Sequence, residues 1–175
     1  QEHIVAFKKV YSSLCQMFIR LKSDNGGTVS GIFNSNNDYP IILQNYFIGS
    51  KICKSTKNAD ICWHSKWYTY NNHLISSNEN DFSSLVLADG TILMFWHGSN
   101  DCTSSAELKT NTGCARIRVD TNGDKKPNKV GKDIFDFYML QDKIIARGDP
   151  LSTATIDDIG GWGMGYKILT QNKIE

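Results

Sequence analysis

Segment 119–133 is rich in Asp, Asn, Gly and Lys, and several of its side chains carry oxygen atoms that can bind a metal ion. Asp120, Asn122 and Asp124 stand at alternate positions, so their side-chain oxygens can converge on one ion, and the glycine between the last two permits a sharp turn. Asn128 and Asp133 can add further oxygens toward the roughly six to eight that calcium prefers. The pattern predicts a calcium site that differs from an EF-hand, because the glycine comes too early in the loop.

A turn network is the alternative interpretation of the same segment. Asp and Asn side chains can instead accept hydrogen bonds from nearby backbone N–H groups and hold a loop without a metal. Four lysines in the segment weigh against a divalent cation unless they point outward: Lys125, Lys126, Lys129 and Lys132. Both interpretations stay open on the sequence.

The cysteines form two pairs that are close in sequence. Cys53 and Cys62 lie nine residues apart, and Cys102 and Cys114 lie twelve apart. Each pair can close a polar loop as a disulfide and contribute roughly 2 to 4 kcal/mol. Two disulfides imply an oxidising compartment.

Other roles for cysteine are less well matched. Zinc held by Cys53, Cys62, His64 and a later cysteine lacks the tight C-x2-4-C spacing of structural zinc sites. Cys15 follows Leu14 on the apolar face of a predicted helix, which predicts a buried thiol.

Motifs of the common enzyme classes are absent from the sequence. The histidines form no HExxH pattern, and there is no G-x-S-x-G, Walker or dinucleotide fingerprint. The glycine-rich run 160–165 is interpreted as a flexible turn, since no apolar strand precedes it. No catalytic residue is predicted.

The elements that must position these residues are an N-terminal helix and a sheet. Apolar residues recur at three- and four-residue steps over 1–23, which predicts one amphipathic helix: Ile4, Phe7, Tyr11, Leu14, Phe18 and Leu21. A short helix is expected from Asp38 to about Phe47, with Asp38 accepting backbone N–H bonds at its start. Segment 84–97 predicts a hairpin about Asp89-Gly90, and 134–147 predicts another.

Between the hairpins, 115–120 alternates Ile117 and Val119 with Arg116 and Arg118, which predicts a strand with one wet face. Segment 51–80 is expected to be a long loop region with short strands, and 166–172 a short helix. The fold class is therefore α+β, a single domain over 1–175 with the N-terminal helix packed on at least four mostly antiparallel strands.

Composition limits the partners. The chain has 175 residues, 19 Lys and Arg against 18 Asp and Glu, and a formal charge of +1. Such a balance provides no field for nucleic acid or an anionic membrane, and no nucleic-acid partner is expected. No apolar run reaches the ~20 residues that a membrane-spanning helix needs.

One longer pattern has a familiar form: Asp120-x-Asn122-Gly123-x-Lys125-x-Pro127-Asn128-x-x-Gly131-x-Asp133-x-Phe135-x-Phe137. With Leu87-Ala88-Asp89-Gly90-Thr91 before it, and with the stretch from Ala6 to Gln16 inside the predicted N-terminal helix, it resembles bacterial type IV pilin-like proteins, the pilins and the type II secretion pseudopilins. The resemblance covers residues 1 to about 47 and 84 to 147.

The resemblance implies a long helix packed on an antiparallel sheet, with 1–23 as its exposed half. In that family the upstream apolar half anchors the subunit in the inner membrane and then packs into the filament core. The sequence begins without that half, so filament assembly with other pilin-like subunits is expected of the parent protein. An extracellular or cell-surface filament, and the inner membrane or periplasm before assembly, are the implied locations. Some pseudopilins hold calcium in a loop and the family commonly has disulfides, so the resemblance agrees with the calcium site and with the two cysteine pairs expected here.

Two other functions remain open. An extracellular glycan- or surface-binding adhesin module would use exposed Trp63, Trp67 and Tyr68 as a stacking surface. A secreted hydrolase would bring Cys15 or a serine next to a histidine. The candidate histidines are His64, His73 and His97.

Overall fold

The computed structural model describes residues 1–54, 62–76 and 82–174. Three α-helices are present in these ranges: α1 (Glu2–Asp24), α2 (Asp38–Leu43), which continues into a 3-10 turn Gln44–Tyr46, and α3 (Met164–Gln171). The strands are β1 (Lys51–Cys53), β2 (Lys66–Tyr68), β3 (Leu74–Ser76), β4 (Ser84–Val86), β5 (Ile92–His97), β6 (Gly113–Asp120), β7 (Ile134–Leu140) and β8 (Ile144–Ala146).

Six strands form one antiparallel sheet in the order β1-β4-β5-β6-β7-β8, and β2 pairs with β3 in a separate small sheet. The α+β class, the N-terminal helix and an antiparallel sheet of more than four strands are thus confirmed. The hairpin β4–β5 turns at Gly90, whose φ of 91° suits glycine, and β7–β8 forms the other predicted hairpin.

Helix α1 covers one face of the large sheet. Its buried residues repeat at helical spacing and join the main core: Phe7, Val10, Leu14, Met17, Phe18 and Leu21. The Phe7 ring contacts Phe135 and Phe137 on β7 at 4.7 and 5.4 Å between ring centres. The helix ends before Gly27, whose N–H donates to the Lys22 carbonyl.

Asp38 acts differently from the prediction. Its Oδ2 accepts hydrogen bonds from the backbone N–H groups of Asn34 and Ser35, which precede the helix. The carboxylate therefore holds the incoming loop rather than capping the first turn of α2, because its side chain points back along the chain.

Strand β6 also corrects the sequence interpretation, because the face that was expected to be wet is covered at Arg118 and only partly open at Arg116. Ile117 and Val119 point into the α1 layer, as predicted, but Arg118 on the opposite face is only 5% exposed. Side chains from β2, from the Trp63 segment and from Trp162 lie over that face. Alternation predicts which residues share a face, but it does not reveal what covers that face.

The C-terminal glycine run is closely packed rather than a free turn. A Cβ at Gly163 would collide with the Thr155 carbonyl, and one at Gly161 would lie 2.6 Å from the Tyr70 Cβ. These contacts place Trp162 over the second face of the sheet. Within the described ranges, no helix has the length and apolarity to span a membrane.

Candidate functional site

A charged side chain lies at the centre of the second face of the large sheet. Arg118 Nε and Nη2 donate to the two carboxylate oxygens of Asp136 at 2.7 and 2.9 Å. The guanidinium carbon lies 4.8 Å from the ring centre of Trp67 and 4.9 Å from those of Trp96 and Trp162. Aromatic faces attract cations, so these rings replace water around the buried charge.

Asp136 serves a second arginine. Arg147 Nη1 donates to Asp136 Oδ2 at 2.9 Å, and its guanidinium lies 4.6 Å from the Trp162 ring centre. Burial alone would raise the pKa of the Asp136 carboxyl, but the charges of Arg118, Arg116 and Arg147 lower it to about 2. The carboxylate is therefore ionised at any pH near neutrality.

A third arginine extends this network to the protein surface. Arg116 lies 4.2 Å from the Trp96 ring centre, and its Nη1 donates to Glu107 Oε1 at 2.9 Å. Tyr138 donates its hydroxyl to Glu107 Oε2 at 2.6 Å. Burial raises the pKa of Tyr138, whereas the hydrogen bond from Tyr138 and the two neighbouring arginines outweigh burial and lower the pKa of Glu107.

This outer part borders a cleft of about 220 Å³. Trp96, Arg116, Glu107 and Tyr138 supply its polar and aromatic walls, and its remaining lining is mostly small, from Gly98, Ser104, Ala106, Gly113 and Ala115, with Leu108 and His97. Neither the arginine network nor the cleft is predicted from the sequence. The available signal was the pair of arginines at alternate positions in an otherwise apolar strand, which a solvent-facing interpretation also explains.

The predicted calcium residues lie in one loop, and two of their carboxylates already have hydrogen-bond partners within the chain. Asp120 is 0% exposed; its Oδ2 lies 2.7 Å from His64 Nε2 and its Oδ1 accepts the Asn122 N–H. Asp133, also 0% exposed, accepts the N–H groups of Asn128 and Lys129 at 2.9 and 2.6 Å. Burial raises the pKa of Asp120, and His64 opposes this. The arrangement supports the turn network.

Two amide oxygens of the same loop favour the calcium interpretation instead. Asn122 Oδ1 and Asn128 Oδ1 are buried and accept no hydrogen bond within the described part of the chain. Asp124 is exposed. No group of three or more His, Cys, Asp or Glu side chains among the described residues is arranged to hold a metal ion. Calcium binding therefore stays a prediction. The two amide oxygens support it, whereas two carboxylates of the loop already accept hydrogen bonds from the chain.

The cysteines pair as the sequence predicts. Cys53 bonds to Cys62 and Cys102 to Cys114. Cys15 is a free thiol that is half-buried, less than the prediction of a buried side chain, and burial raises its pKa. The disulfides indicate an oxidising environment, extracellular or periplasmic.

The aromatic residues proposed for stacking do not form an exposed surface. Trp63 and Trp67 are each 2% exposed and belong to a core cluster with Met94 and Ile134. Tyr68 is 38% exposed. The stacking surface expected of an adhesin is therefore not supplied by these tryptophans.

The histidines occupy separate environments. His64 lies against Asp120 and Trp63, and His73 is exposed on the turn before β3. His97 lies between Tyr39, with Nδ1 at 2.8 Å from the hydroxyl, and Asn100, with Nε2 at 2.7 Å from Oδ1. These contacts orient His97 but place it beside a tyrosine and an amide, not beside the Cys15 thiol of α1.

Comparison of the chain with protein-family models, with curated proteins and with solved structures gave no match.

Proposed function

We propose that this chain is the globular part of a type IV pilin-like subunit, from a pilus or a type II secretion pseudopilus, that acts by assembling into a filament and not by catalysis. The observation that carries the proposal is the division of α1 into two faces. One face is buried on the sheet, while the other leaves Val5 63% and Ile19 67% exposed. Fourteen residues separate these two side chains, a spacing that returns them to nearly the same side of the helix.

Exposed apolar side chains on a helix already anchored by its other face suit helix-to-helix packing between copies. Ser12 lies midway between Val5 and Ile19 on this side, so the face is small at its centre and permits a close approach. The antiparallel sheet and the two disulfides agree with the resemblance without depending on it.

The motif that carries the resemblance has a structural use in this fold. Asp120 and Asp133 are buried acceptors that join the ends of β6 and β7 to the intervening loop. This use fits a subunit whose loop must keep one shape in a repeated assembly.

The experiment is assembly in the native host with the complete reading frame. Surface filaments are sheared off, imaged by negative-stain electron microscopy and identified by mass spectrometry. We expect this chain in the filaments and expect Ile19→Glu to remove them, because a charge on the packing face opposes close contact between copies.

Leu74→Glu is the matched control, since Leu74 is 52% exposed on β3, away from α1. It should assemble like the unaltered protein. Recovery of the chain solely as a free secreted protein, or normal filaments from Ile19→Glu, would contradict the proposal. The hydrolase alternative gains no support from the contacts of His64, His73 and His97.

A further inference from the structure

The cleft beside Trp96 has a rigid frame. Ser104 and Gly113 exchange two backbone hydrogen bonds of 3.0 and 2.8 Å across its floor. The Cys102–Cys114 disulfide ties the same two segments together. A Cβ at Gly113 would lie 2.8 Å from both the Leu108 side chain and the Ser104 carbonyl, so glycine permits this close approach. The walls are therefore held in place before any ligand arrives.

Arg116 and Glu107 are immobilised at the mouth of the cleft. The guanidinium stacks on Trp96, and its single hydrogen bond among the described residues runs from Nη1 to Glu107. Glu107 is held in addition by the Tyr138 hydroxyl. The side chains of Arg116 and Glu107 keep 22% and 34% of their surface exposed, so a donor and an acceptor face the solvent side by side.

The chemistry of this pair favours an uncharged ligand. Arg116 and Glu107 neutralise each other at 2.9 Å, and Arg147, 4.0 Å from the same Glu107 oxygen, is paired more closely with Asp136 at 2.9 Å. An added anion would meet the Glu107 carboxylate, and an added cation would meet the Arg116 guanidinium. Neighbouring hydroxyl groups match both: one hydroxyl accepts from the guanidinium while the next donates to the carboxylate.

The rest of the lining suits the C–H faces of a ring. Ala106, Leu108 and the Trp96 ring provide apolar surface next to the polar pair. Sites for small ligands combine such apolar walls with a few fixed polar groups. We propose that this cleft binds a neutral saccharide, with one pyranose ring against Trp96 and Leu108 and its adjacent hydroxyls on Arg116 and Glu107.

This inference goes beyond filament assembly and does not depend on it. Packing through α1 uses the helix layer, whereas the cleft lies at the second face of the sheet, on β5 and β6. A subunit can carry the site on an assembled filament or as a single chain.

The test is a nuclear magnetic resonance titration of the 175-residue chain labelled with 15N. The probes are glucose, galactose, mannose and N-acetylglucosamine, with glucuronic acid as the charged comparison. We expect at least one neutral sugar to shift the Trp96 indole signal and the amides of Gly98, Ala106 and Glu107, and glucuronic acid to bind more weakly.

Two variants locate the site. Arg116→Ala removes the guanidinium and should weaken binding about tenfold or more, since hydrogen bonds to charged groups are among the strongest. Ala106→Tyr fills the cleft from an exposed position without removing a contact, and it keeps the test decisive if Arg116→Ala fails to fold. Arg20→Ala is the matched control, because Arg20 stacks on Tyr46 from α1 instead.

Loss of the shifts in Ala106→Tyr with retention in Arg20→Ala supports the site. Absence of shifts with every neutral sugar, stronger binding of glucuronic acid, or unchanged affinity in Ala106→Tyr overturns it.

Discussion

Arg118 and Asp136 form a two-point ion pair, 2.7 and 2.9 Å long, on adjacent strands, with both side chains almost wholly buried. Removing one partner of such a pair leaves the other charge in a medium of low polarity, at a cost of about 3 to 5 kcal/mol. We expect Arg118→Met and Asp136→Asn each to lower the free energy of unfolding by this order, measured by urea denaturation. Asp136→Asn should cost more, because it leaves two arginines without their carboxylate.

Arg20→Met is the control for this comparison. Arg20 also lies on an aromatic ring, that of Tyr46 at 5.2 Å, but it is exposed on α1. Its loss should change stability by no more than about 0.5 kcal/mol. Equal losses of stability from the substitutions at Arg20 and Arg118 would show that the buried ion pair contributes no more to stability than an exposed arginine does.

The same carboxylate predicts acid sensitivity. The pKa of Asp136 is 3.8 in its ordinary state and about 2 in the fold, so its contribution is complete above pH 5 and is lost as pH falls through 3.8 toward 2. The difference corresponds to about 2 kcal/mol. Unfolding measured between pH 6 and 2 should show this decline.

Two substitutions assign that decline to its residue. Asp136→Asn should be less stable at pH 6 but flatter toward acid, whereas the exposed Asp142→Asn should keep the slope of the unaltered protein. A full slope in Asp136→Asn would assign the acid transition to other carboxyls.

A comparison of α1 with β6 shows which structural features could be predicted from the sequence. Helical periodicity predicted α1 and four of its six buried residues, Phe7, Leu14, Phe18 and Leu21, because apolar side chains at this spacing form the one face that packs on a core. Ile4 and Tyr11 of the predicted stripe are only partly buried. Alternation likewise placed Arg116 and Arg118 on one face of β6. The environment of Arg118 depends on Trp67 and Trp162, which come from segments distant in sequence, so no local pattern predicts that contact.

The candidate site divides in the same way. The disulfides follow from short loop spacing, and segment 119–133 follows from its oxygen-rich side chains. The cleft is formed by 104–108 meeting β5 and β6, so its residues share no motif.

The disulfides should contribute comparable amounts of stability. Their separations of 9 and 12 residues close short loops, for which about 2 to 3 kcal/mol each is expected. Replacing either pair by serine should lower the denaturation midpoint accordingly. Alkylation of the unfolded chain should modify one thiol without reductant, Cys15, and five after reduction. More than one modified thiol without reductant would contradict the pairing.

Substitutions in the loop 119–133 can distinguish a turn network from a calcium site. Asp133→Asn weakens two charge-assisted bonds to backbone N–H groups and should cost about 1 to 3 kcal/mol whether or not calcium is present. Asp124 is exposed, so Asp124→Asn should leave the metal-free midpoint nearly unchanged. If calcium binds, it should raise the thermal midpoint of the unaltered chain relative to chelator, and Asp124→Asn should reduce that rise. Equal midpoints with calcium and with chelator would end the calcium hypothesis.

Helix α1 allows folding and assembly to be measured separately. Leu14 is 0% exposed in the main core, so Leu14→Ala should cost about 2 to 5 kcal/mol through lost burial and a residual cavity. Ile19 is 67% exposed, and Ile19→Ala should change the free energy of unfolding by no more than about 0.5 kcal/mol. Urea denaturation of the two variants checks both values. A large loss in Ile19→Ala would mean that this side chain serves the fold of the single chain, and its exposed face could then no longer be assigned to contacts between subunits.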